Sequence, residues 1–139
     1  MIILNEFNDT YGHLVGDSVL RYFASIMKKT KGDNETIFRF GGEEFAILMA
    51  ESSIEQATER AEGIRKDIQA AHLKQRTSDQ PLKTITSSFG IARFHGNKDD
   101  AKSFLGRADN ALYLAKQKGR NQVIDEDQLL TEKATYSKK

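Results

Sequence analysis

Gly41-Gly42-Glu43-Glu44-Phe45 lies between two stretches that read as strands, Thr36-Ile37-Phe38-Arg39-Phe40 before it and Phe45-Ala46-Ile47-Leu48-Met49 after it. The pattern is a hairpin with a Gly-Gly tip. Without Cβ atoms, such a tip can press its backbone against a phosphate or a base. The adjacent carboxylates of Glu43 and Glu44 can hold a hard, oxygen-seeking cation such as Mg²⁺. Together these parts point to nucleotide chemistry. A tight turn with two solvated glutamates is the plainer reading of the pentapeptide alone.

Working outward, Asp17 is a plausible N-cap, followed by Val19, Leu20, Phe23, Ile26 and Met27 on one helical face. Ser53 and Gln56 have the spacing of a capping box, and Ile54, Ala57, Ala61, Ile64 and Ile68 stripe the next helix toward His72. Residues 73–80 read as polar loop, with Pro81 at a strand edge. Residues 82–87 and 89–94 read as extended, either one strand bent at Ser88 or a strand pair. Phe104, Leu105, Ala108, Leu112 and Ala115 stripe the last long helix, with Gly119 as its C-cap and Gln122-Val123-Ile124 as a short final strand. Strands separated by helices imply a sheet with helices packed on it. The phenylalanines 38, 40, 89 and 94 and Tyr11 are expected in core or hairpin packing. His13, His72 and His95 show no metal-ligand spacing.

The chain has 139 residues, 38% hydrophobic and 29% charged, a net charge of +1 and no cysteine. That describes one globular domain without disulfides or thiolate metal sites. The charge balance gives no strong basic field for nucleic acid. The apolar start, Met1-Ile2-Ile3-Leu4, is too short for a signal peptide or a membrane span. Residues 125–139 read as a polar C-terminal tail that frays.

Four blocks in order resemble one family. Asn8-Asp9-Thr10-Tyr11-Gly12-His13 with Gly16-Asp17, Gly41-Gly42-Glu43-Glu44-Phe45, Thr86-Ser87-Ser88-Phe89-Gly90-Ile91-Ala92, and Arg107-Ala108-Asp109-Asn110-Ala111-Leu112-Tyr113 with Ala115-Lys116-Gln117-Lys118-Gly119-Arg120-Asn121 are similar to the GGDEF domains of diguanylate cyclases, in the GGEEF variant. The resemblance covers roughly residues 2–124. It implies an α/β (α+β) fold of the palm-like kind, a central mixed sheet flanked by helices, as a domain over 1–124. It implies condensation of two GTP into cyclic di-GMP and pyrophosphate by a two-fold homodimer, with Mg²⁺ or Mn²⁺ as cofactor. The family setting also implies a cytoplasmic location and an upstream sensory domain in the full-length protein. No membrane contact is expected of this domain.

By the same resemblance, Glu43 is the metal ligand and a catalytic residue, and Glu44 a second catalytic or metal-proximal carboxylate. Gly41 and Gly42 give close approach to the nucleotide. Asn8 and Asp17 read guanine, as an amide and a carboxylate have the donors and acceptors to do; helix capping is the plainer reading of both. Lys116 and Arg120, four apart at a helix end, hold the triphosphate; a basic last turn facing the helix dipole is the alternative.

The chain departs from the family at two places. Aligning Asn8-Asp9 on the end of the family's D-x-D-x-F-K-x-x-N-D places Asn5 at the lysine and the first, metal-binding aspartate before Met1. The domain is thus expected to be N-terminally incomplete and weakly active or inactive, with most of its first strand missing and only a stub near residues 1–4. The family's feedback arginine is also absent, because its R-x-x-D window holds Gly32-Asp33-Asn34-Glu35 and Gly63 stands at a second arginine position. A degenerate, non-catalytic domain that binds GTP or a protein partner is the alternative function. A purely structural domain leaves the glycine–carboxylate tip and Lys116 with Arg120 unexplained.

Overall fold

The structure, a computed structural model, describes residues 1–9, 16–71 and 85–137. Its elements are β1 (Ile2–Asp9), α1 (Asp17–Lys29), β2 (Glu35–Gly41), β3 (Glu44–Met49), α2 (Ile54–Ala71), β4 (Ile85–Ala92), α3 (Ala101–Gln117), β5 (Val123–Asp125) and α4 (Glu126–Ser137). The sheet has five strands in the order β2-β3-β1-β4-β5. β1 runs antiparallel to both neighbours, β2 antiparallel to β3, and β5 parallel to β4. This is the expected mixed sheet with helices against it.

Alternation along the strands sorts their side chains onto two faces. Ile3, Phe7, Phe45, Ile47, Phe89 and Ile91 point to one face, where they meet Leu20, Phe23 and Met27 of α1 and the predicted stripe of α2 in the larger core. Ile2, Leu4, Ala46 and Ala92 point to the other and meet Ala108 and Leu112 of α3. The capping box at α2 is present, Ser53 Oγ accepting from the Gln56 N–H at 3.1 Å and Gln56 Oε1 from the Ser53 N–H at 2.8 Å.

Several expectations are corrected. The first strand is no stub: β1 is eight residues long and pairs with β4 along its whole length. A central strand satisfies backbone groups on both edges, and that gain carries Asn5, Glu6 and Asn8 into the sheet, all buried. Asn5 shows the cost, since neither its amide oxygen nor its nitrogen finds a partner among the described residues. Asp17 is not the N-cap of α1; Gly16 is, without a side-chain bond, and Asp17 opens the first turn. Of the two readings of the later extended stretch, the strand pair is the one that fails: residues 85–92 form one strand whose register with β1 runs unbroken through Ser88. Phe38, Phe40 and Phe94 are exposed at 36%, 45% and 53%, because the β2–β3 end of the α3-side face has no helix over it among the described residues. The segment expected to fray forms α4. Its Glu126 is buried and accepts from the Arg93 N–H at 2.5 Å, with His95 Nε2 at 2.8 Å and Arg107 Nε at 3.6 Å. Arg107 in turn pairs with Asp99, whose carboxyl it holds far below the ordinary range. The expectations for residues 10–15, 72–84 and 138–139, including Tyr11, His13, His72 and Pro81, lie outside the described residues.

The glycine of the Thr86–Ala92 block has a physical reason. A Cβ on Gly90 would stand 2.2 Å from the Ala108 carbonyl oxygen and 2.3 Å from the Leu112 nitrogen, so α3 rests on bare β4 backbone there. Gly90→Ala should cost about 3 kcal/mol, since the obstacle is backbone rather than a side chain that can turn away. Gly106→Ala, where an added Cβ meets nothing within 4 Å, should instead gain up to about 1 kcal/mol from helix propensity. Urea denaturation of both variants checks the pair.

Candidate functional site

The hairpin tip is built as the pentapeptide implies. β2 ends at Gly41, β3 begins at Glu44, and Gly42 has φ +42°, a left-handed value that suits glycine. The β2–β3 register shifts between Arg39 and Gly41, which turns the tip out of the regular ladder. Gly41 and Gly42 are exposed with open space where a Cβ would stand. Arg39 fixes the tip from beneath. Its Nε and Nη2 donate to the Gly42 carbonyl at 2.8 and 2.5 Å, and Nη2 also reaches Asp17 Oδ1 at 3.2 Å. Asp17 thus meets the tip through Arg39, its carboxylate 75% exposed.

Glu44 lies opposite Glu6 in the β1–β3 register, and Glu6 lies opposite Ser88 on β4. Glu6 is mostly buried, and both its carboxylate oxygens are engaged. Asn8 Nδ2 donates to Oε1 at 3.0 Å and Lys116 Nζ to Oε2 at 3.0 Å. Lys116 comes from the last turn of α3, and Asn8 from the same face of β1 two residues on. One carboxylate therefore joins two predicted substrate residues. Asn8 itself is 2% exposed. Arg120 does not continue α3, which ends at Gln117. It sits beyond Gly119 with φ +61°, exposed, so helical spacing does not place it beside Lys116.

Burial, and after it the charges of Glu6 and Asp109, push the Glu44 carboxyl above its usual pKa, with a smaller push from Glu43; Lys116 pulls the other way. The excess negative charge is what a divalent cation would relieve. Among the described residues no group of three His, Cys, Asp or Glu side chains is placed to hold a metal. The donor set fits a Mg²⁺ or Mn²⁺ ion that takes one or two carboxylates, from Glu43, Glu44 or Glu6, and completes its shell with phosphate oxygens and water. It does not fit an all-protein cage.

Sequence reasoning missed Glu6 and Arg39. Reading residues 2–9 as a strand would have put Ile2, Leu4, Glu6 and Asn8 on one face and revealed Glu6. Arg39 carried no signal, because its bond to the Gly42 carbonyl depends on the register shift. In the window lacking the feedback arginine, Glu35 is buried and already engaged: Arg60 of α2 donates to it at 2.8 Å and the Gly32 N–H at 3.3 Å.

The family model described as diguanylate cyclase, GGDEF domain, matches residues 1–122. The chain belongs to the GGDEF family. It is 42% identical over 118 residues to diguanylate cyclase VdcA of Vibrio cholerae, covering 84% of this chain and 34% of that protein. It is 40% identical over 116 residues to diguanylate cyclase A of Treponema denticola, covering 84% and 30%. The chain thus spans about a third of the length of these relatives. The GGDEF domain of DgcB from Caulobacter crescentus, solved in complex with c-di-GMP, superposes with a TM-score of 0.69 at 29% identity, covering 91% of this chain and 78% of that one. The active GGEEF domain of a diguanylate cyclase from Vibrio cholerae gives 0.67 at 25% identity, covering 90% and 82%. All of α4 lies beyond the residues that the family model matches. No described helix is long and apolar enough to cross a membrane.

Because its folded-state pKa is raised, Glu44 contributes stability that is fully present at low pH and lost as pH rises through the folded value. Glu44→Gln should therefore be more stable than the wild type at pH 7, by about half a kcal/mol for a group this exposed. The two chains should converge as the pH falls to about 4, near the ordinary glutamate value. Urea denaturation at both pH values reads this.

Proposed function

We propose that this chain is the catalytic domain of a diguanylate cyclase. It would condense two GTP into cyclic di-GMP with release of pyrophosphate, each protomer of a two-fold dimer presenting one GTP to the other. The observation that carries the reading is the bare-backbone tip at Gly41 and Gly42, with Gly41 paired to Glu44, Glu44 opposite Glu6, and Glu6 held by Lys116 from α3. The 3′-hydroxyl oxygen of one GTP forms a bond to the α-phosphorus of the other. The bond from that phosphorus to the pyrophosphate breaks, and the hydroxyl proton leaves to a base; the same transfer in the reciprocal direction closes the ring and releases the second pyrophosphate. Such transfers are accelerated mainly by positioning and by neutralising charge.

Gly41 and Gly42 let backbone approach the nucleotide. Asn8 and Asp17 meet the guanine edge, and Lys116 and Arg120 meet the phosphates. Glu43 would hold Mg²⁺ or Mn²⁺, which when bound supplies charge neutralisation at the phosphate oxygens. Glu44, with its lifted pKa, takes a proton more readily than an ordinary glutamate. Occupancy of Glu35 by Arg60, with Gly32 where an arginine would be needed, supports a chain without product inhibition at that window. The setting we infer is cytoplasmic, with an upstream sensory domain in the full-length protein. A non-catalytic domain that binds GTP is the second reading, favoured by the commitment of Asn8 and Lys116 to Glu6.

Incubation with GTP and Mg²⁺, with product resolved by chromatography, separates the readings from a parallel GTP-binding titration. Turnover supports the cyclase, binding without turnover the GTP-binding domain, and the absence of both a purely structural domain. Glu43→Gln should lower turnover about a hundredfold, on the order of 3 kcal/mol, with its thermal unfolding little changed. Near-normal turnover removes Glu43 from the site.

A further inference from the structure

We propose that Glu6 is the positioning residue of this site. It holds Lys116 and Asn8 in the free protein and yields Lys116 to the triphosphate when nucleotide binds, so that its charge sets how strongly binding depends on a divalent cation. The inference rests on the reading of the site as nucleotide-binding.

A carboxylate held 10% exposed needs partners for both oxygens. Glu6 has them in Asn8 and Lys116, each at 3.0 Å. Among the described residues no second cation pairs with it, and its neighbour on β3 is another carboxylate, Glu44. Lys116 is the mobile partner. Its side chain is 28% exposed on a flexible stem, so it can turn from Glu6 toward solvent or an incoming phosphate. Asn8 is fixed, 2% exposed and two residues away on the same strand face. Once Lys116 turns to phosphate, Glu6 keeps only the Asn8 amide, with Glu44 beside it and a highly charged triphosphate nearby. That repulsion opposes binding, and a divalent cation between the phosphates and the carboxylates offsets it. Ser88 ties the far side of the arrangement: its Oγ accepts from the Asn121 N–H at 3.1 Å, fixing the chain just after α3.

A merely structural tie between β1 and α3 would behave differently from this exchange of partners. The test compares wild type, Glu6→Gln, which keeps the shape and loses the charge, and Glu6→Asp, which keeps the charge. Calorimetric titrations with GTP and with guanosine are run in EDTA and in Mg²⁺. Guanosine, lacking phosphates, reports any disturbance of Asn8. In EDTA, Glu6→Gln should raise the ratio of GTP to guanosine affinity about tenfold, the scale of one partly buried charge a few ångströms away. The gain from adding Mg²⁺ should shrink by the same factor, and Glu6→Asp should follow the wild type. The ammonium ¹H–¹⁵N signal of Lys116 in the free protein should be slowed in exchange in the wild type and lost in Glu6→Gln. An unchanged ratio, or equal losses for both ligands together with a lower melting temperature, overturns the proposal in favour of a structural tie. If the wild type binds neither GTP nor guanosine while the Lys116 signal still reports the pair, the nucleotide reading fails and takes the proposal with it.

Discussion

Everything in this domain hangs on β1 having a partner along both edges. The strand is central and antiparallel to both neighbours, so its register fixes two others at once. Setting Asn5 against both Phe45 and Phe89 puts Glu6 opposite Glu44 on one side and Ser88 on the other. A slip of one residue would turn Ile3 and Phe7 out of the larger core and send Glu6 into it. The apolar cost of that slip is large, because Ile3 and Phe7 are among the most buried side chains of the chain. Packing on one face of the sheet thus fixes the electrostatics on the other.

Two cations hold the site's parts together by different means. Arg39 is exposed and grips the Gly42 carbonyl while also reaching Asp17, so it shapes the Gly42 turn and ties it to α1. Lys116 is half-buried and meets a carboxylate, so it offsets charge that burial has made costly. The first contact can survive a change of ligand, since the Gly42 carbonyl keeps its place. The second is open to competition from any stronger anion. This division leaves the tip rigid and its wall adjustable, an arrangement suited to a ligand that arrives highly charged.

The hairpin, the α2 stripe with its capping box, and the mixed sheet with helices were all legible in the sequence, because each depends on short-range patterning. Elements that depend on distant partners were not. The strand 2–9 carries three buried polar residues among its eight, which hides its alternation; it becomes a strand because β3 and β4 need one between them. α4 was invisible because its anchor, Glu126, is buried by Arg93, His95 and Arg107, about twenty to thirty residues earlier. Of the site, the glycines and Glu43 were read from local chemistry and their tip geometry is as expected. The partnership of Asn8 with Lys116 through Glu6 spans the length of the domain, and local spacing carries no trace of it. The helical spacing read for Lys116 and Arg120 does not hold for a local reason: α3 ends at Gln117, and the backbone is left-handed at Gly119 and Arg120.

The bare contact at Gly90 acts mechanically as the fulcrum of a lever. α3 rests on the bare β4 backbone at Ala108 and Leu112, and Lys116 rides one turn further along the same rod, about 6 Å beyond Leu112 at 1.5 Å per residue. Raising the rod at its point of rest tilts its end, and the ammonium group is carried on that end. An error in steric fit on the sheet is thereby converted into misalignment of a charge, so that damage to packing reaches the ligand as a fault in aim.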